Sequence, residues 1–212
     1  MSDAQHEAAT AELVACLTDD ALVAARRLLG CEVHLGEVGL RITEVEAYRH
    51  LPDPGDSANH CRHGKTSRNA PMWGPAGRAY VYLCYGIHHL LNVTTGVEGQ
   101  GAAVLIRACE PVCGHAIIWE RRGRTGPAAL NGPGKVGAAL GLDTSWNHHD
   151  LLGSEGLRLL AGREVPREQI LVGPRVGIDY ARPEDRTACW RLALRGSPWV
   201  GHRSTLNPMS EH

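Results

Sequence analysis

The sequence predicts a single α+β domain, in which a curved, largely antiparallel β-sheet forms a partial barrel with helices around it. The 212 residues, 43% of them apolar, can bury one substantial core. Strand-like segments come in pairs joined by short glycine-containing turns, which predicts hairpins. Helices are predicted at three places among them, and no repeat, low-complexity segment or domain linker divides the chain.

The start of the chain predicts a helix after a short leading segment. The predicted division is residues 1–17 as an N-terminal tail or short helix, residues 18–202 as the main domain and residues 203–212 as a C-terminal tail. Thr18-Asp-Asp supplies an N-cap and first-turn acids for a helix over Ala21–Leu29, which ends at Gly30.

The remaining elements follow from residue alternation and from turn signals. Strands are predicted at Cys31–Leu35, Leu40–Tyr48, Arg78–Tyr85, His88–Thr94, Ala102–Ala108, Ile170–Gly173, Arg175–Ile178 and Trp190–Leu194. Helices are predicted over Pro111–Arg121 and Lys135–Leu142. The stretch from His50 to Pro75 is rich in Pro, Gly, Asp, Asn and Ser and is predicted to be mostly loop. A loop of this length in a compact domain is usually functional or disordered.

Local charge, rather than net charge, indicates a nucleic-acid partner. The net charge is −1, but the block from Ser57 to Val97 contains no Asp or Glu. In and beside this block lie four cations and four of the five tyrosines: Arg62, Lys65, Arg68 and Arg78, and Tyr48, Tyr80, Tyr82 and Tyr85. Cations and flat rings without carboxylates suit a surface that holds a phosphate backbone and stacks on bases.

Cysteine usage and hydropathy predict a cytoplasmic protein that does not enter a membrane. The seven cysteines are an odd number, scattered, and never spaced Cys-x-x-Cys, which favours reduced thiols. The N-terminus is polar and acidic, unlike a signal peptide, and no apolar run reaches the length that spans a bilayer.

Glu46 is the candidate catalytic carboxylate. On a strand through residue 48, positions 42, 44, 46 and 48 share one face, so Glu46 and Tyr48 project together. A carboxylate would then lie beside an aromatic platform. The alternative is a solvated strand face on which Glu44 and Glu46 are ordinary charges.

The tyrosine run favours a site over a solvated face. Tyr80 and Tyr82 share a strand face, whereas Tyr85 has the opposite parity and lies next to Gly86 at the predicted hairpin tip. A bulky ring at such a tip is well placed to enter between base pairs. Core packing is the alternative, because the chain has no Phe, and it explains Tyr80 more easily than Tyr85.

Two motifs resemble cofactor-binding patterns but do not satisfy them, so no cofactor is predicted. His60-Cys-Arg-His63 would need two further zinc ligands, and Cys109 and Cys113 are spaced Cys-x-x-x-Cys, so no metal site is predicted. Gly132-Pro-Gly-Lys135 fails the P-loop pattern and is predicted to be a turn that opens a helix. Its N–H groups, with Lys135, could hold a DNA phosphate.

A set of short motifs keeps its order from about residue 20 to residue 201. The motifs are Glu44-Val-Glu-Ala-Tyr48, Ala58-Asn-His60, Arg68-Asn69, Tyr80-Val-Tyr82-x-x-Tyr85-Gly86, Asn92, Val104-Leu-Ile-Arg-Ala-x-Glu-Pro111, Asn131-Gly-Pro-Gly-Lys135, Arg175-Val-Gly177 and Arg195-Gly-Ser-Pro-Trp-Val200. Together they resemble the alkyladenine (3-methyladenine) DNA glycosylase family. Relative to that family the loop between Tyr48 and His60 is longer, and His88 and His89 stand where bulkier apolar or aromatic residues are common.

The resemblance implies a monofunctional hydrolase of the N-glycosidic bond in damaged duplex DNA. Glu46 aligns with the general base that activates the attacking water, and Arg107 with a residue that helps to hold this water. The other aligned roles are Tyr48, His60 and Tyr82 as walls around the extruded base, Asn92 as the residue that excludes guanine, and Tyr85 as the ring that fills the vacated stack. The cations Arg62, Lys65, Arg68 and Lys135 are predicted to contact the DNA backbone.

The chemistry is consistent with these residue types. A base inside a duplex must be flipped out, at a cost of about a few kcal/mol, and stacking in an aromatic pocket returns roughly 1–3 kcal/mol. An ionised carboxylate can stabilise positive charge on the sugar and take the proton of the water. No lysine is well placed near Glu46 for a Schiff base, so no strand cleavage is predicted.

Two other interpretations stay open. One is a nucleic-acid-binding module of the same fold without catalysis, and the other is an enzyme that acts on free nucleosides or RNA. The sequence does not select among 3-methyladenine, 7-methylguanine, hypoxanthine and ethenoadenine as the preferred lesion. A monomer is expected, because a repair enzyme of this size needs no symmetric site.

Overall fold

A computed structural model describes residues 3–50 and 55–209. The helices are α1 (Asp3–Leu17), α2 (Ala21–Leu28), α3 (His115–Arg122), α4 (Pro133–Leu140) and α5 (Pro183–Thr187). The strands are β1 (Glu32–Leu35), β2 (Val38–Tyr48), β3 (Ala79–Cys84), β4 (His88–Thr94), β5 (Ala103–Cys113), β6 (Arg158–Leu160), β7 (Ile170–Gly173), β8 (Arg191–Leu194) and β9 (Asn207–Pro208). Short 3-10 helices cover Ala70–Trp73, Pro127–Ala129, Thr144–Trp146, Arg167–Gln169 and Arg203–Thr205. The predicted longer loop before His60 includes residues 51–54, which lie outside the described residues.

The nine strands form one open sheet in which the paired strands run antiparallel. Its main path is β3-β4-β5-β2-β8-β7-β9, and β1 pairs with β2 and β6 beside this path. The long strands β2 and β5 therefore lie at the centre, with the β3–β4 hairpin on one side. The predicted α+β class with a largely antiparallel sheet is confirmed.

Two predicted elements are wrong. Pro111–Arg121 is not one helix, because β5 continues to pair with β2 as far as Cys113 and the helix begins at His115 after the left-handed Gly114. Arg175–Ile178 is not a strand. Its backbone turns away at Gly177, where φ is +77°, and the Val176 N–H donates to a side chain of β2 rather than to a neighbouring strand.

A register irregularity in β2 decides which of its side chains face the core. The pairing of β2 with β5 shifts on both sides of Glu44. Ile42 belongs to the same core cluster as Val45 and Ala47. A bulge reverses the alternation of side chains along a strand, so the predicted shared face of positions 42 to 48 begins only at Glu44.

Helix α4 approaches the sheet closely enough to require a glycine. It packs on β4 and β5, and a Cβ at Gly137 would collide with the carbonyl oxygen of His89. Nearer the start of the helix, a Cβ at Gly134 would lie 2.8 Å from Cγ of His88. These contacts fix the N-terminus of α4 beside the β3–β4 hairpin.

The first helix belongs to the core. Leu13 and Leu17 of α1 are fully buried, and α1 packs on α2. At the other end of the chain, β9 pairs with β7. The predicted division of the chain at residues 17 and 202 stays a prediction. Within the described ranges, none of the helices has the length and apolar character needed to cross a membrane.

Truncation of Leu17 tests the burial of α1. Leu17→Ala should lower the free energy of unfolding by about 2–5 kcal/mol, because it leaves a cavity in a packed interior. Val14 on the same helix is 39% exposed, and Val14→Ala should cost less than about 1 kcal/mol. Urea unfolding followed by circular dichroism compares the two variants, and equal losses would contradict the packing described for α1.

Candidate active site

Two buried carboxylates share one arginine at the centre of the sheet. Glu44 and Glu46 of β2 and Arg107 of β5 are between 0% and 6% exposed. Nε of Arg107 lies 3.0 Å from Oε1 of Glu44, and Nη1 of Arg107 lies 3.2 Å from Oε1 of Glu46. The alternative of a solvated strand face for the two glutamates is therefore wrong.

The charges in this group depend on one another. Burial alone would lower the pKa of Arg107, but the carboxylates of Glu46 and Glu44 outweigh it and raise the pKa above its ordinary value. Glu44 is bound further by Arg191, whose Nη1 lies 3.1 Å from Oε1, and by the N–H of Gly201, 2.7 Å from Oε2. These additional partners of Glu44 lie in β8 and in the segment that follows it, which indicates a structural role for this carboxylate.

Glu46 lies directly behind a cleft. Its Oε2 accepts a hydrogen bond from the Tyr48 hydroxyl at 3.0 Å, and its Oε1 accepts one from the Val176 N–H at 2.7 Å. Tyr48, Val176 and Arg107 line the cleft, whereas Glu46 itself is 0% exposed. The Glu46 carboxylate is therefore separated from the cleft only by the three residues that it contacts.

The cleft has a volume of about 710 Å³ and is lined by aromatic and basic side chains. It brings together most of the predicted site residues: Tyr48, His60, Arg68, Tyr82, Tyr85, Asn92, Arg107 and Lys135. Arg62 and Lys65 are exposed and are not among the residues that line it. Sequence reasoning missed Arg122 and Tyr180 as lining residues. The basic run at residues 121–124 is the sequence feature from which a role for Arg122 could have been inferred. Tyr180 is the fifth tyrosine of the chain and lies far from the other four in the sequence.

Tyr48 is held in place by a buried ion pair. Cζ of Arg175 lies 4.8 Å from the centroid of the Tyr48 ring, and its Nη atoms lie 2.7 and 2.8 Å from the two carboxylate oxygens of Asp56. Burial raises the pKa of Tyr48 well above its ordinary value. The hydroxyl therefore stays protonated and donates a hydrogen bond to Glu46. No local sequence pattern predicts the pairing of Arg175 with Asp56.

His60 forms an aromatic cluster with Tyr80 and Tyr82. Nδ1 of His60 lies 2.9 Å from the Tyr80 hydroxyl, and the ring centroids of His60 and Tyr82 are 4.7 Å apart in an edge-to-face arrangement. Burial, with smaller contributions from the charges of Arg68 and Arg62, lowers the pKa of His60 to about 4. The imidazole is therefore neutral near pH 7.

Asn92 lies on β4 opposite Tyr80 and is 3% exposed. Its Nδ2 donates to the carbonyl oxygens of Tyr80 at 3.0 Å and Leu90 at 3.4 Å. These bonds fix the side-chain amide, so that a ligand in the cleft meets a polar group that cannot easily move aside.

The tip of the β3–β4 hairpin presents an exposed ring. Tyr85 is 90% exposed and Ile87 is 72% exposed. Both Tyr85 and Gly86 have positive φ, at +51° and +71°, and the Ile87 N–H donates to the Cys84 carbonyl at 3.2 Å. Positive φ is costly for tyrosine, and such strain is often kept at functional positions. The predicted tip position of Tyr85 is confirmed.

Basic side chains also line the cleft near the start of α4. Nζ of Lys135 lies 2.7 Å from Oδ1 of Asn131, and Arg122 donates from Nε to the Ala129 carbonyl at 2.9 Å. Burial lowers the pKa of Lys135, and the charges of Arg122 and Arg124 lower it further. Like charges gathered at the start of α4 favour the binding of an anion.

No three His, Cys, Asp or Glu side chains gather to hold a metal ion in the part of the chain that the structure describes. The expectation that the protein needs no metal or other cofactor stays a prediction.

The family model for methylpurine-DNA glycosylase matches residues 15–198. The chain belongs to this family. Its members are enzymes that hydrolyse N-glycosyl bonds, and the resemblance inferred from the ordered motifs is thereby confirmed.

Several relatives match over almost the whole chain. A protein of Nitrosococcus oceani, named provisionally as a 3-methyladenine DNA glycosylase, is 60% identical over 194 residues, which are 91% of this chain and 94% of that protein. The DNA-3-methyladenine glycosylase of Arabidopsis thaliana is 56% identical over 193 residues, which are 90% of this chain and 74% of that protein. A relative from Carboxydothermus hydrogenoformans is 44% identical over 189 residues and is matched over 95% of its length.

Stability below neutral pH tests the environment of His60. Its pKa is about 4 in the folded chain, against an ordinary value of 6.5, so the unfolded chain binds the proton first as the pH falls. The free energy of unfolding is therefore unaffected by this group above about pH 6.5. It falls by up to about 3 kcal/mol as the pH is lowered from about 6.5 to about 4.

In His60→Gln this loss should be missing. The difference in unfolding free energy between wild type and variant should therefore shrink as the pH falls from 7 to about 4.5, measured by urea unfolding at each pH. A difference that does not change with pH would contradict the depressed pKa of His60.

Proposed function

We propose that the chain is a monofunctional DNA glycosylase that extrudes a damaged purine from duplex DNA and hydrolyses its N-glycosidic bond with water activated by Glu46. One observation carries the proposal. The carboxylate of Glu46 is fully buried, yet both of its oxygens are bound to groups that line an aromatic cleft. Membership of the methylpurine-DNA glycosylase family supports the reaction class.

The reaction breaks the bond between C1′ of the sugar and N9 of the purine, and the electron pair leaves with the base. Positive charge develops on the sugar, where an ionised carboxylate stabilises it. The Tyr48 hydroxyl is bound to Oε2 of Glu46, and a rotation of this hydroxyl would free Oε2 to take a proton from water. The oxygen of that water then bonds to C1′, which leaves an abasic site and an intact backbone.

Arg107 holds the carboxylate and, in the proposal, the water. Its Nη1 lies 3.2 Å from Oε1 of Glu46, and it lines the cleft. The second anchor is Glu44, which fixes Nε of the same guanidinium. With both ends of Arg107 bound, Glu46 keeps one orientation towards the sugar.

The aromatic side chains bind the extruded purine. Tyr48, His60 and Tyr82 offer rings on which a purine can stack, worth roughly 1–3 kcal/mol per base, and this offsets a flipping cost of about a few kcal/mol. Asn92 is proposed to exclude guanine, because its fixed side-chain amide would clash with the guanine amino group. Tyr85 enters the duplex from the minor groove and fills the space that the purine leaves.

Basic residues hold the DNA backbone. The proposed contacts are Arg62, Lys65, Arg68 and Lys135, with the N-terminus of α4 beside Lys135. The proposed substrates are 3-methyladenine, 7-methylguanine, hypoxanthine and ethenoadenine in duplex DNA, and the enzyme acts as a cytoplasmic monomer in base excision repair.

Substitution of Glu46 tests the catalytic assignment. Glu46→Gln should slow the single-turnover release of hypoxanthine by about 100-fold or more, because a general base contributes about 10²–10⁴. A labelled duplex with one hypoxanthine opposite thymine is incubated with each protein and read with and without hot alkali. Strand scission by the wild type only after alkali is the expected result.

Glu110→Gln serves as the matched control, since Glu110 is a partly exposed carboxylate of the same sheet, paired with Arg41 at 2.6 Å. It should keep full activity. Scission without alkali would contradict a monofunctional enzyme, and undiminished activity of Glu46→Gln would contradict the role of Glu46. A wild type inactive on hypoxanthine, ethenoadenine and methylated duplexes would favour a binding module.

Substitution of Tyr85 tests the requirement for a duplex. Tyr85→Ala should slow excision from duplex DNA by about tenfold or more, because the vacated stack is no longer filled. Excision from a single strand of the same sequence should change by less than about twofold. Val97→Ala, a change at another exposed apolar residue (61%), should affect neither. Equal loss on both substrates in Tyr85→Ala would contradict the intercalating role.

A further inference from the structure

Two aromatic walls of the cleft each contact a guanidinium group, but only one of these groups is neutralised. On Tyr48, Arg175 lies 4.8 Å from the ring centroid and is paired with Asp56 at 2.7 Å. On Tyr82, Cζ of Arg68 lies 5.3 Å from the ring centroid. Among the ion pairs of the described residues, Arg68 takes part in none.

The charge of Arg68 reaches the groups that would surround a purine. Arg68 lines the cleft together with His60, Tyr80 and Tyr82. After burial, its charge is the largest contribution that lowers the pKa of His60, and it also opposes the rise in the pKa of Tyr80. No Asp or Glu occurs between residues 57 and 97 to offset it. The guanidinium of Arg68, although exposed, therefore acts on His60 and Tyr80, while the carboxylate of Glu46 acts on Tyr82 from the other end of the cleft.

We propose that Arg68 is a specificity-determining residue that favours the excision of neutral purines, such as hypoxanthine and ethenoadenine, over cationic N-alkylpurines. The inference rests on the proposed glycosylase function. It gives Arg68 a role inside the cleft, beyond a contact with the DNA backbone.

The charge of the leaving group is the physical reason. When the C1′–N9 bond breaks, both electrons go to the purine, so a neutral purine departs as an anion and a cationic one departs as a neutral molecule. A nearby positive charge stabilises the developing anion and destabilises the bound cation. A guanidinium on the Tyr82 ring also makes that ring a weaker partner for a second cation.

A contact with the DNA backbone would have a different signature. A phosphate contact carries no information about the base, so its loss weakens binding to each duplex alike. The ratio of excision rates for two lesions in the same sequence therefore separates the two roles of Arg68.

The experiment compares duplexes that differ only in the central base, hypoxanthine or 7-methylguanine, under single-turnover conditions with saturating protein. Arg68→Met removes the charge and keeps an unbranched side chain. It should lower the rate ratio of hypoxanthine to 7-methylguanine by about 3- to 10-fold at roughly 0.1 M salt, where screening is partial. Arg68→Lys, which restores a cation, should recover most of the ratio.

Lys65→Met is the matched control, since Lys65 is an exposed cation of the same loop that does not line the cleft. It should weaken binding to both duplexes and leave the rate ratio unchanged. If Arg68→Met is active and its rate ratio of hypoxanthine to 7-methylguanine is unchanged or increased, the specificity role of Arg68 is wrong, while the proposed glycosylase function stands. Failure of the wild type to excise either base would instead overturn the proposed function, and the inference with it.

Discussion

The site depends on one constraint: two carboxylates of the same strand are buried side by side, and a single arginine lies between them. Glu44 and Glu46 would repel one another in the interior without Arg107, which contacts both. Arg191 adds a second cation on Glu44. Since these four residues come from the three adjacent strands β2, β5 and β8, the charge network and the strand register specify each other. Removal of Arg107 would leave the buried Glu46 without its ion-pair partner, at a cost of about 3–5 kcal/mol.

A second buried pair connects the irregular part of the chain to this network. Asp56 lies in the loop after β2, and Arg175 lies in the segment after β7, which leaves the sheet. Arg175 supports the Tyr48 ring and donates to the Ala47 carbonyl at 3.1 Å, and the next residue, Val176, binds Glu46 through its N–H. The ion pair of Asp56 with Arg175 thus positions both the Tyr48 ring and the Val176 N–H that donates to Glu46. The rest of the cleft comes from the β3–β4 hairpin and α4, which Gly137 allows to pack closely.

Local patterns predicted the central strands and the hairpin that carry most of the site, but neither the turn at Arg175–Ile178 nor the contacts between elements. Period-two alternation and Gly86 located the hairpin and the exposed Tyr85, and the spacing of Glu46 and Tyr48 predicted that they meet. The irregularity at Glu44 depends on the partner strand β5, so β2 alone could not reveal it. Asp56 and Arg175 are 119 residues apart, and no local signal connects them. The sequence likewise supplied the charge of Arg68, but only the fold brings it to Tyr82. Roles of single residues in the site came from the resemblance to the family rather than from spacing.

A crystal structure of the Glu46→Gln variant bound to a duplex that contains one hypoxanthine would test base extrusion and the position of residue 46 together. We expect the purine to lie outside the helix, stacked among Tyr48, His60 and Tyr82, with C1′ of its sugar facing residue 46. We also expect the Tyr85 ring in the vacated position of the stack. A hypoxanthine that remains paired inside the duplex, with the hairpin tip away from the minor groove and the cleft free of the base, would contradict both expectations.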